Sequence, residues 1–208
     1  MKILGKLFGS PATVKLLRLF LFNPENVFTN KEAASRAKIT LDTTRFEFSI
    51  MKQMGFIKKK IGYRQVTIKR GKKKVVKKKK VEGWTLNENF VYINQLKDFL
   101  MSATPIKDKD IPKKLSAAGI IKFIAISGIF MQDSDSRLDI LIVGNNIRKS
   151  QMETIIRAIE SELGKELKYV AFSVDEFKYR INVYDKLVRD VFDYPHKIIL
   201  NKIGIEVK

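Results

Sequence analysis

Between Phe56 and Val81 the chain reads FIKKKIGYRQVTIKRGKKKVVKKKKV, with 13 Lys or Arg and no Asp or Glu. A protein core does not take unpaired cations, so this stretch has to lie in water. Its strand-forming residues, Ile57, Ile61, Val66, Ile68, Val75, Val76 and Val81, lie either side of Arg70-Gly71, a turn signal. The pattern predicts a solvated β-hairpin. Charge on exposed strands guards their edges against pairing with other chains. A run of cations with no anion exceeds that need and points to a polyanionic partner.

The charge is unevenly spread. The chain has 208 residues and a net charge of +19; residues 1–100 hold 23 Lys+Arg against 7 Asp+Glu, and residues 101–208 hold 18 against 15. A basic half joined to a near-neutral half suggests a polyanion-binding module attached to a part with another job. With 45% hydrophobic residues and 14 Phe, both halves can bury cores. The absence of Cys excludes disulfides and thiolate zinc sites, and a single histidine, His196, excludes an imidazole cluster within one chain. The opening MKILGKLFGS has no long apolar region or cleavage pattern, and no apolar run reaches the ~18 residues of a spanning helix. A cytoplasmic protein with no membrane partner is expected.

Ahead of the hairpin, Ser10 and Pro11 mark a helix start, and Val14, Leu16, Leu17, Leu19, Phe20 and Leu21 give it a broad apolar face before Asn23-Pro24. Thr29 and Glu32 form a capping box for a short second helix ending near Lys38. A third helix follows in TTRFEFSIMKQMG, with Phe46, Ile50 and Met54 expected to face a core, Phe48 and Met51 flanking them, and Gly55 closing it. Three such helices with a tight last connection describe a helix-turn-helix.

A helix-turn-helix followed at once by a basic hairpin resembles the winged helix-turn-helix family of DNA-binding domains, over roughly residues 8 to 90. The resemblance implies that the third helix reads DNA and that the wing grips phosphates. On the helix, Asp42, Thr43, Thr44, Arg45, Ser49, Lys52 and Gln53 fall on polar faces; of these, Thr43, Thr44, Arg45, Ser49 and Lys52 are the expected DNA contacts. On the wing the expected contacts are Lys58, Lys59, Lys60, Arg64, Lys69, Arg70, Lys72, Lys73, Lys74, Lys77, Lys78, Lys79 and Lys80. Trp84 is expected to anchor the wing to the helices. Tyr63 stands at the wing start, and His196, beside Pro195, reads as a surface or turn residue.

After a linking helix, Asn89 to Ser102, and TPIKDKDIPKKLSAAG, expected as an exposed connector and a short helix, the second half alternates elements. A strand from Ile121 to Ile126, a strand over RLDILIVG, a helix bearing Met152, Ile155, Ile156 and Ile159, a strand over ELKYVAFS, and one long helix from Ser173 are expected, with short strands or an extended tail at the end. This order implies an α/β layer over a mixed sheet. The expected division is 1–88, 89–118 and 119–208.

Within residues 119 to 205, a strand, a Ser-Gly turn, an acidic loop and a strand with an internal acid resemble the polymerase-β type of nucleotidyltransferase, and most of all the minimal domains fused to winged helices in prokaryotic regulators. Active members hold Mg²⁺ on two acids one residue apart and cradle a triphosphate on a Gly-Ser turn. Here Ser127 precedes Gly128 and Ile129 follows it, while the first acid position holds Arg137 and the second Asp139. Alternation along a strand would put Arg137 and Asp139 on one face, paired with each other. Asp133 and Asp135 lie in the loop, and ELKYVAFS offers only Glu166. The implied site is vestigial, with no catalytic residue, no metal and no cofactor.

The reading that follows is a DNA-binding transcriptional regulator and not an enzyme. Double-stranded DNA is its partner, a homodimer is possible, and the nucleotidyltransferase-like domain serves dimerisation, sensing or partner binding. An active Mg²⁺-dependent nucleotidyltransferase acting on nucleic acid or protein, and an RNA- or ribosome-associated protein, are the alternatives.

Overall fold

The computed structural model describes residues 2–70, 73–103, 106–133 and 135–205, with side chains described outside Lys2 and 66–76. The chain is α/β with a two-stranded and a four-stranded sheet among these residues. It divides into two compact units: Met1–Pro105 with Glu160–Lys165, and Ile106–Ile159 with Glu166–Lys208. The segment 89–118, expected as one connector, is thus shared between the two.

The first unit begins with α1 (Lys2–Leu7) and α2 (Pro11–Leu21). Ser10 caps α2 by accepting from the Thr13 N–H, and Pro11 takes the first position, where its missing N–H leaves nothing unpaired. In α3 (Asn30–Ala37) the Thr29–Glu32 capping box is complete on both sides, and Lys38 closes the helix in the left-handed region. Thr40 caps α4 (Leu41–Gln53). The hairpin strands β1 (Ile57–Arg70) and β2 (Lys73–Leu86) pair without a slip from Ile57↔Leu86 to Arg70↔Lys73. The linking helix is shorter than expected: α5 spans Ile93–Ser102.

Phe20 sits at the centre of this unit's core, edge-on to Phe28 and Phe56 and tilted against Phe48. The orientation of α4 differs from the expected one. Phe46 is 65% exposed and Met54 50%, whereas Phe48, Met51, Thr44 and Glu47 are buried. The apolar residues of α4 fit two overlapping stripes, and polar partners choose between them. The Glu47 carboxylate accepts from Ser10 Oγ (2.7 Å) and Thr13 Oγ1 (3.0 Å) at the N-terminus of α2, where the helix dipole favours an anion. That contact turns Phe48 and Met51 inward and Phe46 outward.

A buried cation completes the unit. Arg18 is 1% exposed and donates to Leu100 O (2.9 Å), Ala103 O (2.5 Å) and Glu162 O (3.1 Å). The first two carbonyls belong to the end of α5, where backbone acceptors have no partner within the helix. Burial lowers the guanidinium pKa to about 10, with the Glu162 carboxylate opposing the fall, so it stays charged at neutral pH. Gly164 (φ +79°) ends the neighbouring segment, where a Cβ would lie 2.6 Å from the Arg18 backbone.

In the second unit the strands β3 (Ile120–Ile126), β4 (Ile140–Asn145), β5 (Tyr169–Phe172) and β6 (Lys197–Asn201) lie in the order β5-β4-β3-β6. β3 is antiparallel to β4 and β6, and β4 is parallel to β5. The central strands are buried on both faces, which is why they read as unbroken apolar runs. Phe123, Leu141, Val143, Phe172, Phe177, Val188 and Val191 form one core cluster. On α7 (Lys149–Leu163), Met152, Ile156 and Ile159 are buried and Ile155 is half-buried.

Two expectations are corrected in this unit. The short helix expected in the connector is α6 (Asp110–Leu115), but the stretch is not wholly exposed: Ile106, Ile111 and Leu115 are buried. The long last helix is two, α8 (Val174–Asn182) and α9 (Lys186–Asp193). Tyr184 takes φ +53° between them, and Asp185 starts α9 by accepting from Leu187 N and Val188 N, because a capping acid competes with continuation of the helix. At the chain end, β6 supplies one of the expected short strands, 202–205 form none, and 206–208 lie outside the described residues.

Arg18→Met keeps an apolar stem and leaves three carbonyls without their donor. A loss of about 3 kcal/mol is expected, since each buried unpaired acceptor costs roughly 1–3 kcal/mol. Urea unfolding followed by circular dichroism measures it, and an unchanged midpoint would show that water replaces the guanidinium at no penalty.

Candidate functional site

On α4, Asp42, Arg45, Ser49, Lys52 and Gln53 form one exposed polar face. Arg45 Nη1 donates to Asp42 Oδ1 at 3.0 Å, with the two side chains 60% and 90% exposed. Such a surface pair is weak, so the guanidinium is readily given up to a stronger acceptor. Ser49 Oγ donates to Phe46 O, and the Thr43 hydroxyl lies 2.7 Å from Thr40 Oγ1 at the helix start. Thr44 is corrected: it is fully buried and donates to Thr40 O (2.9 Å), so it cannot reach a ligand. Its place on the inner face follows from the same rotation that buries Glu47.

The hairpin carries the larger positive surface. Lys58, Lys59, Lys60 and Lys77 to Lys80 are exposed and form no ion pair among the described residues. Lys59 Nζ stands 5.8 Å from the Trp84 ring centroid. Arg64 departs from the rest: it pairs with Glu32 and donates to Val27 O (2.7 Å), fastening the hairpin to the start of α3. Glu32 was legible as a cap but not as this partner, because nothing local in the sequence links the two. Lys69, Arg70, Lys73 and Lys74 lie on the paired strands, with their side chains outside those described, and Lys72 lies outside the described residues altogether.

Trp84 joins the hairpin to the core. Its Nε1 donates to Asn30 Oδ1 (3.0 Å), its ring meets Phe48 edge-on, and its backbone exchanges two hydrogen bonds with Phe28 at 2.8 Å. Val27 packs over Gly62 and Gly83, where a Cβ on Gly83 would come within 2.6 Å of Phe28 O. Tyr63 is 71% exposed. Beside α4 runs an apolar groove of about 470 Å³, which the sequence did not disclose, lined by Phe46, Ile50, Met54, Phe56 and Phe90 with Glu47 among them.

In the second unit, Ser127, Gly128 and Asp139 of the expected vestigial residues come together, but around a different chemistry, and Arg137 does not join them. Asp139 is buried; its Oδ1 accepts from Ile129 N (2.9 Å) and its Oδ2 from Lys168 N (2.7 Å). Gly128 takes φ +54°, and a Cβ there would run into the Asp139 carboxylate. Ser127 is buried and donates to Pro195 O (2.8 Å), with Ser136 Oγ 3.0 Å away. The expected Arg137–Asp139 pair is not formed: Arg137 Nε lies 3.0 Å from Asp190 Oδ2, with Arg137 57% exposed. β4 begins only at Ile140, so strand alternation does not apply to residues 137 and 139. In the loop, Asp133 Oδ1 accepts from Asp135 N (2.9 Å). Among the described residues no three Asp, Glu or His side chains converge on one point that could hold a metal.

Asp139→Asn would turn an amide NH₂ toward one of two buried N–H donors. The expected loss is about 2 kcal/mol, the scale of one buried group left unpaired. Gly128→Ala is expected to lower stability as well, through the strained φ and the carboxylate it displaces. Denaturant unfolding measures both, and wild-type stability in Asp139→Asn would remove the carboxylate from its stapling role.

No protein-family model, no curated protein and no solved structure matches this chain.

Proposed function

We propose that this protein is a DNA-binding transcriptional regulator. In this reading α2 to α4 and the β1–β2 hairpin are a winged helix-turn-helix, with α4 the recognition helix and the hairpin its wing. The second unit is a nucleotidyltransferase-like domain without catalytic activity, serving dimerisation, sensing or partner binding. The observation that carries the reading is the row of exposed hairpin lysines with no anionic partner among the described residues. Charges so arranged lower their mutual repulsion by taking up phosphates and releasing the counterions of a nucleic acid. The polar face of α4 adds Arg45, Ser49 and Lys52, residue types that meet base edges and phosphates. In the second unit, both Asp139 oxygens are already engaged by backbone N–H groups. That supports a structural use of the acid over metal-dependent phosphoryl transfer.

Replacing Lys77 to Lys80 with Gln is expected to weaken binding to all duplexes alike and to flatten the log–log salt dependence by roughly 0.9 per lost phosphate contact. Fluorescence anisotropy at several salt concentrations reads both. Unchanged affinity throughout would leave the hairpin as a solvated surface, and tighter binding to structured RNA of equal length would favour an RNA-associated role.

Arg45→Ala is expected to reduce discrimination between a duplex selected from a random pool and an unselected one, by roughly 1–3 kcal/mol if it meets a guanine edge. Equal loss on both duplexes would make Arg45 a phosphate contact.

A further inference from the structure

Side chains alternate along a strand, and the hairpin register assigns each lysine to a face. Lys79 pairs with Arg64 and Lys77 with Val66, while Lys80 pairs with Tyr63 and Lys78 with Gln65. Directly opposed residues share a face. Lys58, Lys60, Lys77 and Lys79 therefore lie on one face of the ribbon, and Lys59, Lys78 and Lys80 on the other. All seven are exposed. A ribbon lying flat on one phosphate backbone would use a single cationic face, and cations on the far face would only repel the near ones. Edge protection does not call for this arrangement either, because it works with charges of either sign.

From this two-faced distribution we infer that the hairpin stands in the major groove of duplex DNA, with one face turned to each phosphate wall. The inference rests on the DNA-binding reading above. The major groove, about 12 Å wide, admits a two-stranded ribbon, whereas the minor groove, about 6 Å wide, has no room for one with extended lysines on both sides. Each strand has 14 residues, but the end from Ile57↔Leu86 to Gly62↔Val81 lies against Val27, Phe28 and Phe48, so the free ribbon has about 8 residues a strand and is roughly 26 Å long at ~3.3 Å per residue. That is about three quarters of the ~34 Å of one helical turn, so both walls are within reach over most of a turn.

The test uses the full chain and three variants: Lys77→Gln with Lys79→Gln, Lys78→Gln with Lys80→Gln, and all four together. The substituted positions are exposed, and a thermal melt confirms that each variant is folded. Binding to a long random duplex is measured from 50 to 200 mM salt. Each pair is expected to lower the slope by about 1.8 and the quadruple variant by about 3.6, at roughly 0.9 per contact. If only one pair changes the slope, the ribbon lies flat and the inference is overturned, while the DNA-binding reading stands. If no variant changes it, the hairpin is not an interface and that reading loses its carrying observation too. The groove is tested by the difference in slope between wild type and the quadruple variant. This difference is expected to vanish on a duplex whose major groove is filled by glucosylated cytosines, and to survive saturation of an AT-rich duplex with the minor-groove ligand netropsin. The reverse result overturns the inference, as does capture of two differently labelled duplexes by one protein molecule.

Discussion

A ribbon of like charges cannot hold itself together, and the first unit is organised around that constraint. A two-stranded hairpin is at best marginal alone, and here lysines repel one another along both strands. Its stability therefore comes from its base. Ile57 and Leu86 are buried at the first register pair, Trp84 lies against Phe48, and the Phe28 backbone adds a third, short strand position beside β2. Gly62 and Gly83 permit the close approach, since a side chain at Gly83 would displace the Phe28 carbonyl. Arg64 is the one hairpin cation, among those described, that is spent on the body of the unit, through Glu32 and Val27 O.

Legibility followed how local the deciding physics was. The caps at Ser10 and at Thr29 with Glu32 depend on residues three positions apart, and both stood in the sequence. The hairpin was legible because charge excluded it from any core and a turn signal sat at its centre. The rotation of α4 was not, because Phe46, Phe48, Ile50, Met51 and Met54 fit two stripes. The choice is made by Glu47 reaching Ser10 and Thr13, more than 30 positions away in the chain. The break between α8 and α9 was missed for a different reason: Asp185 could have continued an exposed helical face, and its capping role needs the preceding residue, Tyr184, in the left-handed region.

Asp139 shows how one residue type in one setting supports opposite chemistries. A carboxylate at the end of a loop and the start of a strand holds a divalent metal best when a second anion is near and its oxygens face open space. Here one oxygen holds the N–H that opens the turn at Gly128–Met131, and the other holds the N–H of Lys168 beside β5. The glycine that would cradle a phosphate instead makes room for the carboxylate. Arg137, freed from Asp139, turns to Asp190 on α9. Gly128 and Asp139, which suggested a worn-out site in the sequence, thus form a staple between a turn and a sheet, and the buried hydroxyls of Ser127 and Ser136 extend it.

The ion pairs divide by distance from the core in a way that suits reversible binding. Arg18 is buried and committed to three carbonyls, and no ligand could recruit it without unfolding its surroundings. Arg45 rests on Asp42 in a surface pair worth roughly 0–1 kcal/mol. A bidentate guanine contact is worth roughly 1–3 kcal/mol, so the exchange from Asp42 to a base edge is downhill. Asp42 adds a constraint of its own, because its carboxylate repels phosphates and so favours orientations of α4 that keep the backbone away from its first turn. Lys58, Lys60 and Lys77 to Lys80 form no ion pair among the described residues and need no such exchange. Under the proposed DNA-binding function they would engage any phosphate at first encounter, while Arg45 would leave its partner only where the sequence offers a better one. In that proposal, general grip and selective contact would fall to different elements of one unit.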